Sequence, residues 1–153
     1  MRRTRSTAAR LVLVAALAGL ATAGSASAAS VHFESPIGNI NCFVGSTPSS
    51  FAECLVRTGS WPHLPPKPRS CMLDWAPYTV GLTGQRVSLG ACRGDVGPLC
   101  YVGSGHCTVL AYGTSVTVGK VRCSSATTGV TCRSTVGAHH GFRIARQDVV
   151  LYR

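Results

Sequence analysis

Eight cysteines (Cys42, Cys54, Cys71, Cys92, Cys100, Cys107, Cys123 and Cys132) lie in a 153-residue chain, all of them downstream of a leader-like N-terminus. An even cysteine count behind an export signal reads as a disulfide framework. Four bridges can be drawn in 105 ways, so spacing alone does not choose among them. Strand adjacency does, because cysteines on neighbouring strands of a hairpin meet. That reasoning pairs Cys42 with Cys54 and Cys123 with Cys132; Cys71 pairs with Cys92 to tie the proline segment to the end of a hairpin, and Cys100 with Cys107 to close a small loop, which joins the eight in chain order.

The leader has the three parts of a secretory signal peptide. Residues 1–10 carry Arg2, Arg3, Arg5 and Arg10 and no acid. The run LVLVAALAGLATAG is apolar and uncharged, and Ala26-Ser27-Ala28 supplies the small residues of a cleavage site. The expected signal is 1–28, with cleavage after Ala28 and Ala29 as the next choice. The run is short for a membrane span and is followed by a cleavage site, which argues against an anchor. The residues after Arg2-Arg3 are not those of a twin-arginine signal, and no cysteine marks a lipoprotein. No later apolar run is long enough to cross a bilayer, so no transmembrane helix is expected after cleavage. Residues 29–153 are expected to form one secreted, cysteine-rich β domain, extracellular or associated with the cell wall.

Removing the leader changes the charge from +10 to +6, because four arginines leave and all five acids (Glu34, Glu53, Asp74, Asp95, Asp148) stay. A basic exported domain is drawn to anionic polymers. Nucleic acid is not an expected partner: no dense Lys/Arg patch interleaved with aromatics is present, and the chain leaves the cell.

Short alternating runs separated by turns fill the mature chain. Ser35-Pro36-Ile37-Gly38-Asn39 is a turn, followed by Ile40, Cys42 and Val44 on one face; Ala52, Cys54 and Val56 form the returning strand. Gly59 to Ser70 holds four prolines in twelve residues, which excludes helix and central strand. Trp61 and His63 in that segment are either a recognition edge or, for Trp61, a cover over one end of the core. Tyr78, Val80 and Leu82 precede Thr83-Gly84-Gln85, and Val87 and Leu89 follow it, forming a second hairpin. Val121 and Cys123 face inward with Lys120 and Arg122 outward; Val130 and Cys132 face inward again. Phe142 and Ile144 then alternate with Arg143 and Ala145, and Val149 to Tyr152 is a last strand. No segment keeps a helical period. The fold class is therefore all-β: a small, disulfide-stapled antiparallel sandwich or open barrel of short hairpins.

SPIGNINC, CRGD, LAYG, and GVTC with HGFRIAR, taken together, resemble a family of small secreted actinobacterial domains worded SPSGNIxC, CxGD, LxYG and GVTCxNxxxGHGFxxSR. The resemblance runs from Phe33 to about Tyr152. It implies an exported, disulfide-held β domain and assigns no activity. Six cysteines match the pattern; Cys100 and Cys107 look like an addition, which the resemblance makes natural partners. Ile37 stands where the pattern has serine, and the asparagine after the last cysteine is absent.

Catalytic constellations are weak. Paired cysteines leave no thiolate nucleophile, and a zinc site from Cys100, His106 and Cys107 is disfavoured in an oxidising compartment. His63, His139 or His140 with Asp74, Asp95 or Asp148 could contribute to a serine triad, but no G-x-S-x-G elbow is present. Five scattered acids give no close pair for glycoside hydrolysis. Arg93-Gly94-Asp95 spells an adhesion tripeptide and reads more simply as a turn. No catalytic residue, metal or cofactor is expected. The candidate surface is basic: Arg133, His139, His140, Arg143 and Arg146, read either as an anion site or as a solvated loop with the polar face of a half-buried hairpin. The sequence thus predicts an exported, non-catalytic binding domain for the cell envelope or an extracellular protein, with anionic wall polymers as the ligand class. A secreted inhibitor of proteases or other enzymes is the alternative, and a small hydrolase the second.

Overall fold

Alternation with a period of two, interrupted by glycine and proline turns, produces eleven strands among the described residues of the computed structural model. The structure describes residues 29–95, 97–100 and 107–153. The predicted signal, 1–28, lies outside the described residues, as do 101–106 with His106. The strands are β1 (Ser30–Glu34), β2 (Ile40–Gly45), β3 (Phe51–Val56), β4 (Asp74–Thr83), β5 (Arg86–Arg93), β6 (Cys107–Val109), β7 (Ser115–Val118), β8 (Val121–Ala126), β9 (Gly129–Ser134), β10 (Gly141–Ile144) and β11 (Val149–Tyr152). No helix occurs among the described residues, so none there is long and apolar enough to cross a membrane.

The strands form two sheets, ordered β5-β4-β3-β2-β1-β6 and β11-β10-β9-β8-β7. Each is an antiparallel meander apart from one pairing. β6 joins β1 in parallel, with His32 beside Cys107 and Glu34 beside Val109. Sequence alternation does not reveal that strand, because it is three residues long and two of them are exposed. β4 also starts earlier than its alternation suggests, at Asp74, because a bulge between Ala76 and Val80 accommodates Pro77.

One core lies between the sheets. Phe33, Cys42, Val44, Cys54, Val56, Val80 and Leu82 come from the first; Val121, Cys123, Val130, Cys132, Phe142 and Ile144 come from the second. The pairing Cys42↔Cys54 is directly cross-strand with Cα atoms 4.1 Å apart, and Cys123↔Cys132 likewise at 4.0 Å. Such separations mark the non-hydrogen-bonded positions of an antiparallel ladder, where side chains stand closest. The two bridges meet mid-core, with Cys54 Sγ 3.9 Å from Cys132 Sγ. Cys71–Cys92 and Cys100–Cys107 complete the set, so the structure joins the eight cysteines in chain order.

Trp61 is the core cover rather than a recognition edge. Its ring is buried against Tyr78, and its Nε1–H donates to Ala145 O at 2.8 Å. His63 is exposed. The proline segment is tied down a second time by Trp75, whose Nε1–H donates to Pro65 O at 2.8 Å. Asn41 points away from the core yet is fully buried: its Oδ1 accepts from the Cys100 N–H at 2.7 Å and its Nδ2 donates to Gly38 O at 3.0 Å. The chain at Cys100 therefore packs over the outer side of the first sheet.

Candidate functional site

The register of the second sheet fixes which outward side chains are neighbours. One row across it runs Thr117, Arg122, Arg133, Gly141, Tyr152; the next runs Ser115, Ser124, Thr131, Arg143, Val150. Arg122 and Arg133 stand directly opposite each other on β8 and β9. Neither forms an ion pair with an acid among the described residues. Arg122 Nη2 donates to Ser115 Oγ at 2.9 Å. The Arg133 guanidinium lies over the Tyr152 ring at 3.6 Å from its centre. Gly141 sits between these two residues, and having no side chain it lets arginine and tyrosine meet across it.

Arg143, in the adjacent row, is engaged differently. It grips Asp148 with both nitrogens, Nη1 to Oδ1 at 3.1 Å and Nη2 to Oδ2 at 2.6 Å, and Nη1 also donates to Thr128 O at 2.9 Å. The hydrogen bond to Asp148 raises the Arg143 pKa further, so the group is a permanent cation.

The structure divides the five residues of the predicted basic surface. Arg133 and Arg143 share the outer face of the sheet. His139 and His140 sit in the loop before β10, and Arg146 sits in the turn after it, at the opposite end of the strand. His139 adopts a left-handed backbone with φ of 55°, and its Nδ1 faces Ser134 O at 3.1 Å. That carbonyl follows Arg133 on β9, and the Ser134 N–H donates to His140 O at 2.9 Å, so the histidine loop adjoins the Arg133 end of the face, away from Arg146. Arg122 and Tyr152, which the sequence reading did not include, also belong to the face.

Charge is distributed unevenly. Residues 107–153 carry six basic side chains (Lys120, Arg122, Arg133, Arg143, Arg146, Arg153) and one acid, Asp148. Residues 29–106 carry five basic side chains and four acids. Nearly all the excess of the mature chain therefore belongs to the second sheet.

In the Arg93-Gly94-Asp95 tripeptide only the arginine side chain is turned inward, while Gly94 and Asp95 are exposed. Arg93 pairs with Glu53 and with Asp95, the latter at 3.0 Å, and its side chain is 18% exposed. Asp95 Oδ1 also accepts from Gly97 N at 3.1 Å, closing the local turn. Burial pushes the Glu53 carboxyl above its ordinary range, with Arg93 pulling the other way.

A second feature opens at the end of the sandwich where three turns converge. It is an open cleft of about 360 Å³, bordered by the β1–β2 turn, the β8–β9 turn, the β10–β11 turn and Tyr112. No group of three or more His, Cys, Asp or Glu side chains among the described residues is arranged to hold a metal ion. No curated protein and no solved structure matches the chain. Its sequence is nonetheless recognised over almost its whole length: residues 10–152 match the model of a Family of unknown function (DUF6636), and the chain belongs to that family.

Proposed function

We propose that residues 29–153 form an exported, non-catalytic binding domain that holds anionic polymer of the cell envelope on the outer face of its second sheet. The observation that carries this reading is the Arg122–Arg133 pair, two like charges set directly across from each other without an intervening acid. Like charges in that position destabilise a sheet. A polyanion spanning both guanidinium groups removes the repulsion, so ligand binding and the strain of the free face are two sides of one arrangement. Hydroxyls from Ser115, Thr117, Ser124 and Thr131 surround the arginines and offer further donors. The charge bias of this sheet steers such a ligand to it.

Four disulfides support an oxidising compartment. The leader at 1–28 and the segments SPIGNINC, CRGD, LAYG and HGFRIAR support export and an actinobacterial origin. Engagement of Glu53, Asp95 and Asp148 by arginines supports a binding role over a catalytic one.

Co-sedimentation of the mature protein with purified anionic wall polymer tests the reading. Binding is expected at low ionic strength and should fall steeply as salt approaches physiological values and beyond. Arg122→Glu with Arg133→Glu should weaken it tenfold or more, while Arg57→Glu with Arg86→Glu, the same charge change on the first sheet, should have a much smaller effect. Absence of binding at low salt, or equal losses from the two pairs, overturns the assignment.

A further inference from the structure

The turn-end cleft has a composition unlike the flat basic face. Its rim carries two exposed apolar side chains, Tyr112 at 40% and Ile37 at 75% exposure. Its polar lining includes Thr127, Thr128, Arg146, Gln147 and Asp148. Three of the segments singled out in the sequence meet here although they are far apart in the chain: SPIGN supplies Ile37, LAYG supplies Tyr112, and FRIAR supplies Arg143 and Arg146.

Tyr112 is held in place by the backbone beneath it. The Thr114 N–H donates to Ala111 O at 3.1 Å, closing a turn with Tyr112 and Gly113 at its centre. Gly113 has φ of +80°, the value that the third residue of a type II turn requires and that side chains resist. The turn is stitched to β8 by the Gly113 N–H to Ser125 O at 2.8 Å and the Ser125 N–H to Thr114 O at 3.0 Å. A rigid turn thus presents an aromatic ring that the core does not consume.

The floor is equally fixed. Asn39 spends its side chain on Thr58, accepting from its N–H at 3.0 Å and donating to its carbonyl at 3.2 Å, which locks the β1–β2 turn. Arg143 binds Asp148 and Thr128 O at once and so ties the other two turns together. Arg146 is left as the exposed cation beside them, and the half-exposed Asp148 carboxylate keeps lone pairs beyond those Arg143 uses.

We propose that this cleft is a saccharide subsite that takes one sugar unit bearing a carboxylate. The apolar face of a sugar ring packs on Tyr112 and Ile37. Its hydroxyls meet Thr127, Thr128, the Gln147 amide and the free lone pairs of Asp148. Its carboxylate meets the planar fork of Arg146, which matches that group in two parallel hydrogen bonds. The cleft volume falls near the lower end of the ~300–1,000 Å³ range of small-molecule sites, which suits a single unit of a chain rather than a long stretch. Asp148 at the rim disfavours a doubly charged phosphate and accepts from a hydroxyl, so the chemistry selects an acidic sugar over a phosphate polymer. This inference rests on the polyanion reading for its polymer and adds which repeating unit is read.

Tetragalacturonic acid, its carboxyl-reduced neutral counterpart and a short inorganic polyphosphate are the probes, titrated into the intact mature protein by calorimetry and by NMR. The acidic sugar is expected to bind at least tenfold tighter than the neutral one and to shift the Thr127, Thr128 and Gln147 amides. Tyr112→Ala and Arg146→Gln should each weaken it fivefold or more and leave polyphosphate binding within twofold of wild type. Arg122→Glu with Arg133→Glu should weaken polyphosphate more than the tetrasaccharide. Tetrasaccharide binding unaffected by Tyr112→Ala, or shifts confined to the Arg122–Arg133 face, refutes the subsite while leaving the broader polyanion reading in place. Wall-polymer binding that falls equally in Arg122→Glu/Arg133→Glu and Arg57→Glu/Arg86→Glu overturns the sheet-face reading without touching the cleft, so the two failures are distinguishable.

Discussion

Glu53 shows how one residue ties charge to stability. It faces outward from β3 beside Phe43 and Arg93, with 27% of its side chain exposed. Burial is the largest influence on its carboxyl and lifts it above the ordinary glutamate range, partly offset by Arg93. The folded state therefore holds this proton more tightly than the unfolded chain does. Stability attached to Glu53 is present below the unfolded glutamate pKa and is lost as pH rises through the raised folded value. Urea titrations should show wild type losing stability relative to Glu53→Gln across that window, with the two curves parallel above it. Parallel curves throughout would mean that Arg93 fully compensates the burial. The RGD tripeptide belongs to the same scale: its arginine serves this internal pair, and what sequence reads as a possible ligand is a turn tied to a neighbouring strand.

At the scale of elements, the β9–β10–β11 ladder explains why a glycine stands at 141. A Cβ there would sit inside contact distance of the Cys132 carbonyl and the Arg133 backbone. It would also separate Arg133 from Tyr152. Gly141→Ala is expected to cost about 1–3 kcal/mol through crowding, read as a lower denaturation midpoint at unchanged slope. It should also reduce polyanion binding beyond what the stability loss accounts for, because the arginine loses its aromatic support. The same ladder shows how much of the site could be read in advance. Once Cys123 and Cys132 are paired across β8 and β9, the residues one step outward, Arg122 and Arg133, must lie opposite each other. That neighbour relation was within reach of the sequence. The same register brings the histidine loop to Arg133, since Gly141 pairs with Arg133 and the Ser134 N–H donates to His140 O at 2.9 Å, whereas Arg146 follows β10 at its other end.

For the whole molecule, the crossing point of the two sheets matters most. The Cys42–Cys54 and Cys123–Cys132 bridges each staple one sheet, and their sulfurs touch across the core at 3.9 Å. Replacing either pair by alanine should cost about 2–4 kcal/mol. Because the bridges share a contact, removing both should depart from additivity by about 0.5 kcal/mol or more. Cys71–Cys92, near the end of β5 and away from that contact, should combine additively with either. Equilibrium unfolding of the single and double pair variants measures the coupling, and strict additivity in the core pair would show that each sheet is stapled independently.

Local chemistry determined most of the strands and turns and the two core sulfur pairs: alternation sets which side chains face inward, and a tight hairpin leaves facing cysteines such as Cys42–Cys54 and Cys123–Cys132 only one near partner. Contacts made between distant segments were decided by the tertiary structure. The parallel β1–β6 edge, the burial of Asn41 beneath the chain at Cys100, and the cleft where Ile37, Tyr112 and Arg146 converge all depend on how one sheet is laid over the other. That placement is fixed by the summed packing of a shared core, a property no short window of residues contains.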